Sequence, residues 1–260
     1  MFFAPLFLSH GGPDVLINGS PAPAAWRAHA GSLPRPRAIL MMSAHYLALQ
    51  PLLGSSPRWG TVHDFGGFPR ELYKLQYPAA GDDSVLAEAM ALLAAAGISA
   101  RHDGAEGLDH GAWVPLLAMY PQADIPVITI STLPRQDARA HYQLGLALAQ
   151  LAEQGVLIIG SGSMTHNLYE LSRAGGPEQP WAKAFADWMA QRLQENDIEA
   201  LLDWEARVPF AKQNHPSDEH LLPLFFALGA AHGKVGRSLH RGIELGALAM
   251  DAWAFDGAAA

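Results

Sequence analysis

Val156-Leu157-Ile158-Ile159-Gly160-Ser161-Gly162-Ser163-Met164-Thr165-His166 is an apolar run that breaks into Gly-Ser-Gly-Ser and then reaches a histidine. The run has the length and composition of a buried strand. Two other stretches share the plan. They are Pro5-Leu6-Phe7-Leu8-Ser9-His10 and Ala38-Ile39-Leu40-Met41-Met42-Ser43-Ala44-His45. In an α/β sheet with parallel strands, residues just past the carboxyl ends line the ligand crevice. Three imidazoles delivered to one crevice edge can make a metal site.

Outward from these runs, the chain alternates strand-like and helix-like segments. Strands are expected near 3–9, 38–44, 125–131, 156–161 and 248–255. Helices are expected over 84–96, stopped by Gly97, and over 136–153, stopped by Gly155. Two more are expected over 180–194 and over 218–231, the last capped by Ser217. This alternation predicts an α/β fold: a single three-layer α/β/α domain over residues 1–260, with a central sheet that is mostly parallel or mixed. Segment 46–82 is rich in Gly, Pro and aromatic residues and reads as a long loop that shapes a pocket.

Composition narrows the function. The chain has 260 residues, half of them apolar, 16% charged, with a formal net charge of −8. This suits a buried globular core and disfavours nucleic acid, which needs clustered Lys and Arg. No stretch is long and apolar enough to span a bilayer, and the first residues read as a strand, not a signal peptide. The default expectation is a soluble cytoplasmic protein; a homo-oligomer is compatible with it. There are no cysteines, so thiolate ligands and a cysteine nucleophile are excluded. Any metal must be held by His and carboxylate.

Of the 12 histidines, His10 and His45 share a strand-end setting, and metal ligands come in sets. His166 follows a glycine-serine loop that fits neither a Walker loop nor a nucleophile elbow. His110, in Leu108-Asp109-His110-Gly111-Ala112-Trp113, precedes a short helix and reads as a pocket residue, and His63 is similar. Segment His215-Pro216-Ser217-Asp218-Glu219-His220 offers a last ligand, or merely helix capping. His29, His102, His141, His232 and His240 read as surface or packing residues.

Taken in order, these motifs, with His63-Asp64-Phe65-Gly66-Gly67-Phe68-Pro69 and Leu75-Gln76-Tyr77-Pro78, resemble the class III extradiol ring-cleavage dioxygenases, in particular the 4,5-DOPA dioxygenase-like subgroup. The resemblance covers nearly the whole chain. It implies a mononuclear non-haem Fe(II) site with positions open to a catechol substrate and O2. It assigns His10 and His45 as ligands and His220, in preference to Glu219, as the third. A site rich in imidazole would also accept Zn(II). The resemblance makes His166 the acid–base residue and His110 a contact to substrate oxygen, with Asp64 and Asp109 orienting imidazoles. Arg58, Arg70, Lys74 and Lys212 are candidates to meet a substrate carboxylate. Two alternatives stand beside this reading: a Zn-dependent hydrolase on a related scaffold, and a metal-binding protein without catalysis.

Overall fold

The long apolar runs become the middle of an eight-stranded sheet. In the computed structural model, which describes residues 2–104, 107–172 and 176–257, the strands are β1 (Leu6–Ser9), β2 (Ala38–Leu47), β3 (Leu52–Gly54), β4 (Gly60–Thr61), β5 (Arg101–Asp103), β6 (Gly107–Leu108), β7 (Val127–Thr132), β8 (Val156–Gly162), β9 (Val235–His240), β10 (Ile243–Glu244), β11 (Leu248–Ala249) and β12 (Ala252–Gly257). The main sheet runs β5-β3-β7-β2-β8-β1-β12-β9. Its centre, β7-β2-β8-β1, is parallel, while β12 and β9 on one side and the β3–β7 pairing on the other are antiparallel. The sheet is therefore mixed. Parallel strands are covered on both faces, which explains runs of apolar residues without polar alternation.

Helices α1 (Ala22–Ser32), α2 (Asp83–Ala95), α3 (His110–Met119), α4 (Ala138–Glu153), α5 (Pro180–Glu195), α6 (Ile198–Leu202), α7 (Trp204–Arg207), α8 (Ala211–Asn214) and α9 (Leu222–Ala230) supply the outer layers. Successive strand residues point to opposite faces. Leu6, Leu8, Ile39 and Met41 pack with Trp26 of α1 and Trp113 of α3. Leu40, Met42, Ile128 and Ile158 pack with Leu144 and Leu148 of α4 and Phe226 of α9 on the other face. This is the expected three-layer arrangement.

Helix ends follow their local chemistry. The Asp82 carboxylate accepts from Ser84 and Val85 N–H to open α2, and Asp137 does the same for Ala140 in α4. Two expectations need correction. Segment 46–82 is not one loop: it holds β3, β4 and a 3-10 turn at Leu72–Lys74. The last helix starts at Leu222, without a cap from Ser217. The Asp218 carbonyl takes the N–H groups of Leu221 and Leu222 instead, so residues 219–221 form a turn that presents His220. Every residue of α9 is buried, as a helix apolar on all sides must be.

A glycine notch seats α9. A Cβ built on Gly160 would lie 2.0 Å from the Pro223 carbonyl oxygen, and one on Gly162 would lie 2.0 Å from that of His220. Only glycine lets the β8 backbone come this close.

Candidate metal centre

Five imidazoles meet at the carboxyl edge of the parallel strands. His10 follows β1 directly, His110 opens α3, His166 lies beyond β8, and His220 lies in the turn before α9. His45 arrives by a different route. The β2–β7 register steps from Ser43↔Ser131 to Leu47↔Thr132, so residues 44–46 bulge out of the ladder. Thr132 Oγ1 donates to the Ser43 carbonyl at 2.8 Å beside the bulge. Bulges re-aim side chains, and this one places His45 among the others.

The nitrogen geometry is specific. His45 Nε2 lies 3.2 Å from His10 Nε2 and 3.2 Å from His220 Nε2. The far nitrogens of His10 and His220 are occupied. Ser161 Oγ donates to the Gly111 carbonyl at 2.5 Å, so it is free to accept from His10 Nδ1–H at 3.0 Å. Glu219 Oε1 lies 2.9 Å from His220 Nδ1 and accepts its proton. Both partners assign the tautomer with a bare Nε2 lone pair. Lone pairs this close repel unless a proton or a cation lies between them. Two nitrogens 3.2 Å apart, each about 2.1 Å from one ion, would subtend about 100° at it. The donor set therefore fits a divalent first-row ion.

Glu219 sits on the outer side of His220, where it orients the ring. His166, Glu219 and His220 also bring ligand atoms within 4.8 Å of one another. Yet the His166 and His220 rings are stacked, with centroids 3.4 Å apart and planes 10° from parallel. In-plane lone pairs of stacked rings run side by side and do not converge. His10, His45 and His110 form another such group, but His110 Nδ1 is turned toward Asp64 Oδ1 at 3.0 Å.

Asp64 serves two imidazoles. Its Oδ1 also accepts the His110 backbone N–H at 2.9 Å, and its Oδ2 lies 3.6 Å from His45 Nδ1. Burial pushes Asp64 up, but its contacts with His110 prevail and hold it at about 2. Asp109, expected to orient an imidazole as well, does something else. It accepts from Ser43 Oγ at 2.5 Å and from Ala112 N–H at 3.1 Å, capping α3. Burial raises it to about 6. Burial also lowers His10 and His220 well below the usual imidazole range, first by desolvation and then by the neighbouring rings. His45 and His166 are each lowered to about 4, again chiefly by burial.

A cavity of about 500 Å3 opens on the cluster. His10, His45, His110, His166 and His220 all line it, with Phe65 and Phe68 from segment 46–82 and Leu245 and Leu248 from the β10–β11 hairpin. Several expected residues stand apart. His63 is bound through Nε2 to the Leu75 carbonyl at 3.1 Å, outside the cavity wall. His215 is fully buried, 2.9 Å from the Met164 carbonyl and against Phe185 and Trp204. Arg58, Arg70, Lys74 and Lys212 do not line the cavity. Two contributors escaped sequence reading: Ser161, which orients His10, and Asp14, which faces the cavity. A serine closing each apolar run was the available signal for the first.

The sequence pattern of the catalytic LigB subunit of aromatic ring-opening dioxygenase matches residues 18–249. The chain belongs to this family. Among its relatives in the dioxygenase family, a 4,5-DOPA dioxygenase extradiol of Beta vulgaris is 42% identical over 230 residues, 86% of this chain and 85% of that one. A protein of the same name from Escherichia coli K12 is 34% identical over 253 residues, 94% of this chain and 92% of that one. A crystal structure of an uncharacterized protein from Escherichia coli K12 superposes with a TM-score of 0.80 at 29% identity, covering 97% of this chain and 99% of the other. The extradiol ring-cleaving oxidoreductase class expected from the motifs is thus the class of the family. Among the described residues, no helix is long and apolar enough to cross a membrane.

Proposed function

We propose that this protein opens the ring of a catechol with O2, next to a hydroxyl-bearing carbon, at a mononuclear Fe(II) held by His10, His45 and His220. The observation that carries this reading is the approach of the His10 and His220 Nε2 atoms to His45 Nε2, each at 3.2 Å, beside a cavity of about 500 Å3. Three imidazoles suit both iron and zinc, so Zn(II) would compete for the same seat. When bound, Fe(II) would bring catechol and O2 together and supply the electron chemistry that Zn(II) lacks. The names of the relatives point to DOPA as one candidate substrate.

The chain's own residues would do the rest. His166 is neutral at neutral pH because burial holds it at about 4, so it can accept a proton from a catechol hydroxyl. Its stacking on His220 keeps it beside the metal seat without joining the ligand set. His110, fixed by Asp64 through both ring and backbone, would contact a substrate oxygen. Phe65, Phe68, Leu245 and Leu248 would flank the aromatic ring and limit water.

The test is anaerobic purification, loading with Fe(II), and addition of 4-methylcatechol with O2. Oxygen uptake with a yellow semialdehyde is expected, and no turnover of any catechol would overturn the reading. Hydrolysis of an ester without O2 would favour a Zn-dependent hydrolase. His166→Ala should keep its metal and lose about 10²–10⁴-fold in turnover. Loss of metal instead would make His166 a ligand.

A further inference from the structure

We propose that Asp14 selects catechols whose side chain carries an ammonium group over those that carry only a carboxylate. This rests on the ring-opening function proposed above and names the charge class of its substrate.

Asp14 lies on the wall of the same cavity as the five imidazoles. Among the described residues, that wall includes no lysine or arginine, and Asp14 is its one carboxylate. The basic residues that could have met an anionic substituent are elsewhere; Lys212, for example, pairs with Glu205. The other acids around the cluster are committed. Asp64 holds His110, Glu219 holds His220, and Asp109 takes the Ser43 hydroxyl and an α3 amide. The Asp14 side chain has no hydrogen-bond or ion-pair partner among the described residues, while its backbone carbonyl takes the N–H groups of Ile17 and Asn18. A half-buried carboxylate facing a cavity without a partner is poised for a cation.

Its surroundings suit an ammonium. Asp14 sits in a 3-10 turn, Pro13–Leu16, that follows the His10-Gly11-Gly12 corner. A Cβ built on Gly12 would lie 2.7 Å from Asp14 Oδ1 and 3.4 Å from two ring carbons of Phe68. Gly12 thus lets the Asp14 carboxylate and the Phe68 ring sit close together beside the His10 corner. That pair of walls recognises organic cations by charge and by the polarisable ring. Both line the cavity that the imidazoles line, so a catechol with its oxygens at the imidazoles can extend a short side chain toward them. A cavity of about 500 Å3 has room for such a molecule. The formal net charge of −8 also disfavours approach of anions.

The test compares dopamine (cationic side chain), 4-methylcatechol (neutral) and 3,4-dihydroxyphenylpropionate (anionic) on Fe(II)-loaded wild type and Asp14→Asn. Wild type should show a kcat/KM for dopamine about tenfold above that for 4-methylcatechol, and lower still for the anion. Asp14→Asn should lose about tenfold for dopamine, through KM, and stay within about twofold for 4-methylcatechol. Anaerobic calorimetry of dopamine and 4-methylcatechol binding reads the same selectivity without turnover. Equal losses for both ligands, or a wild-type preference for the anion, would overturn the proposal. Turnover of 4-methylcatechol with no ammonium preference sinks this inference alone. Ammonium-selective binding without turnover of any catechol sinks the ring-opening function and leaves Asp14's role standing.

Discussion

Glu219 and His220 are adjacent in sequence, yet they stand on opposite sides of the function. The carboxylate takes the Nδ1 proton at 2.9 Å, and the imidazole turns its bare Nε2 toward His45. His220→Ala should therefore abolish stoichiometric Fe(II) binding. Glu219→Gln should keep it with about 10–100-fold weaker affinity, the usual effect of losing an orienting partner. Metal titration of both variants checks this, and equal losses would make Glu219 a ligand. At this scale the sequence was informative about residue type and silent about direction. His10 and His45 were marked by their strand ends. The distinction between His166 and His220 came from family resemblance, because strand pattern does not reveal which ring faces a common point and which stacks beside it. Asp14 went unread because a lone acid after a Gly-Gly-Pro turn has no pattern that sets it apart.

Among elements, the β8–α9 contact governs the site. The His220 carbonyl accepts Ser163 N–H at 2.8 Å, and the missing side chain of Gly162 makes the approach possible. Gly162→Ala would set a methyl group against backbone, which cannot swing aside. We expect a loss of about 3 kcal/mol or more in urea unfolding, together with weakened Fe(II) binding. Gly31→Ala, on α1 with open space around it, should be neutral or stabilising by up to about 1 kcal/mol. Equal effects would discount the notch. Helices α2 and α4 were legible because runs rich in Ala and Leu stop at Gly97 and Gly155, while the Asp82 and Asp137 caps that open them went unread. The start of α9 was not: Ser217 has the right chemistry for a cap, but the Asp218 carbonyl captured the first amides. The bulge at 44–46 was also hidden, since it depends on register against β7, and register is a property of two strands.

Over the whole molecule, stability is tied to a buried carboxylate between the last strands. Asp251 is 1% exposed and pairs with Arg241 Nε at 2.9 Å. Burial outweighs that pairing and raises Asp251 to about 6. In the unfolded chain it returns to about 3.9. Between these values the folded protein binds a proton that the unfolded chain does not, so this contribution to stability is complete below about pH 4 and lost as pH rises through 6. The stability of wild type relative to Asp251→Asn should fall by up to about 3 kcal/mol over that window. Thermal unfolding at pH 4 and pH 6.5 measures it, and a constant difference would contradict it. The three-layer architecture was readable from alternating patterns, whereas β3 and the edge strands β5 and β9 were not, being too brief or too polar to register as periodic. The position of β1 has one more consequence. It lies between β8 and β12, and the Ser9 amide bonds to the Asp251 carbonyl. First of these strands in the chain, β1 must wait for Val156–Gly162 to supply β8 and for Ala252–Gly257, near the end of the sequence, to supply β12. Such distant pairing closes long loops and is slow. His10 is carried at its end, so the first of the five clustered imidazoles to be made is held in place only by strands made much later.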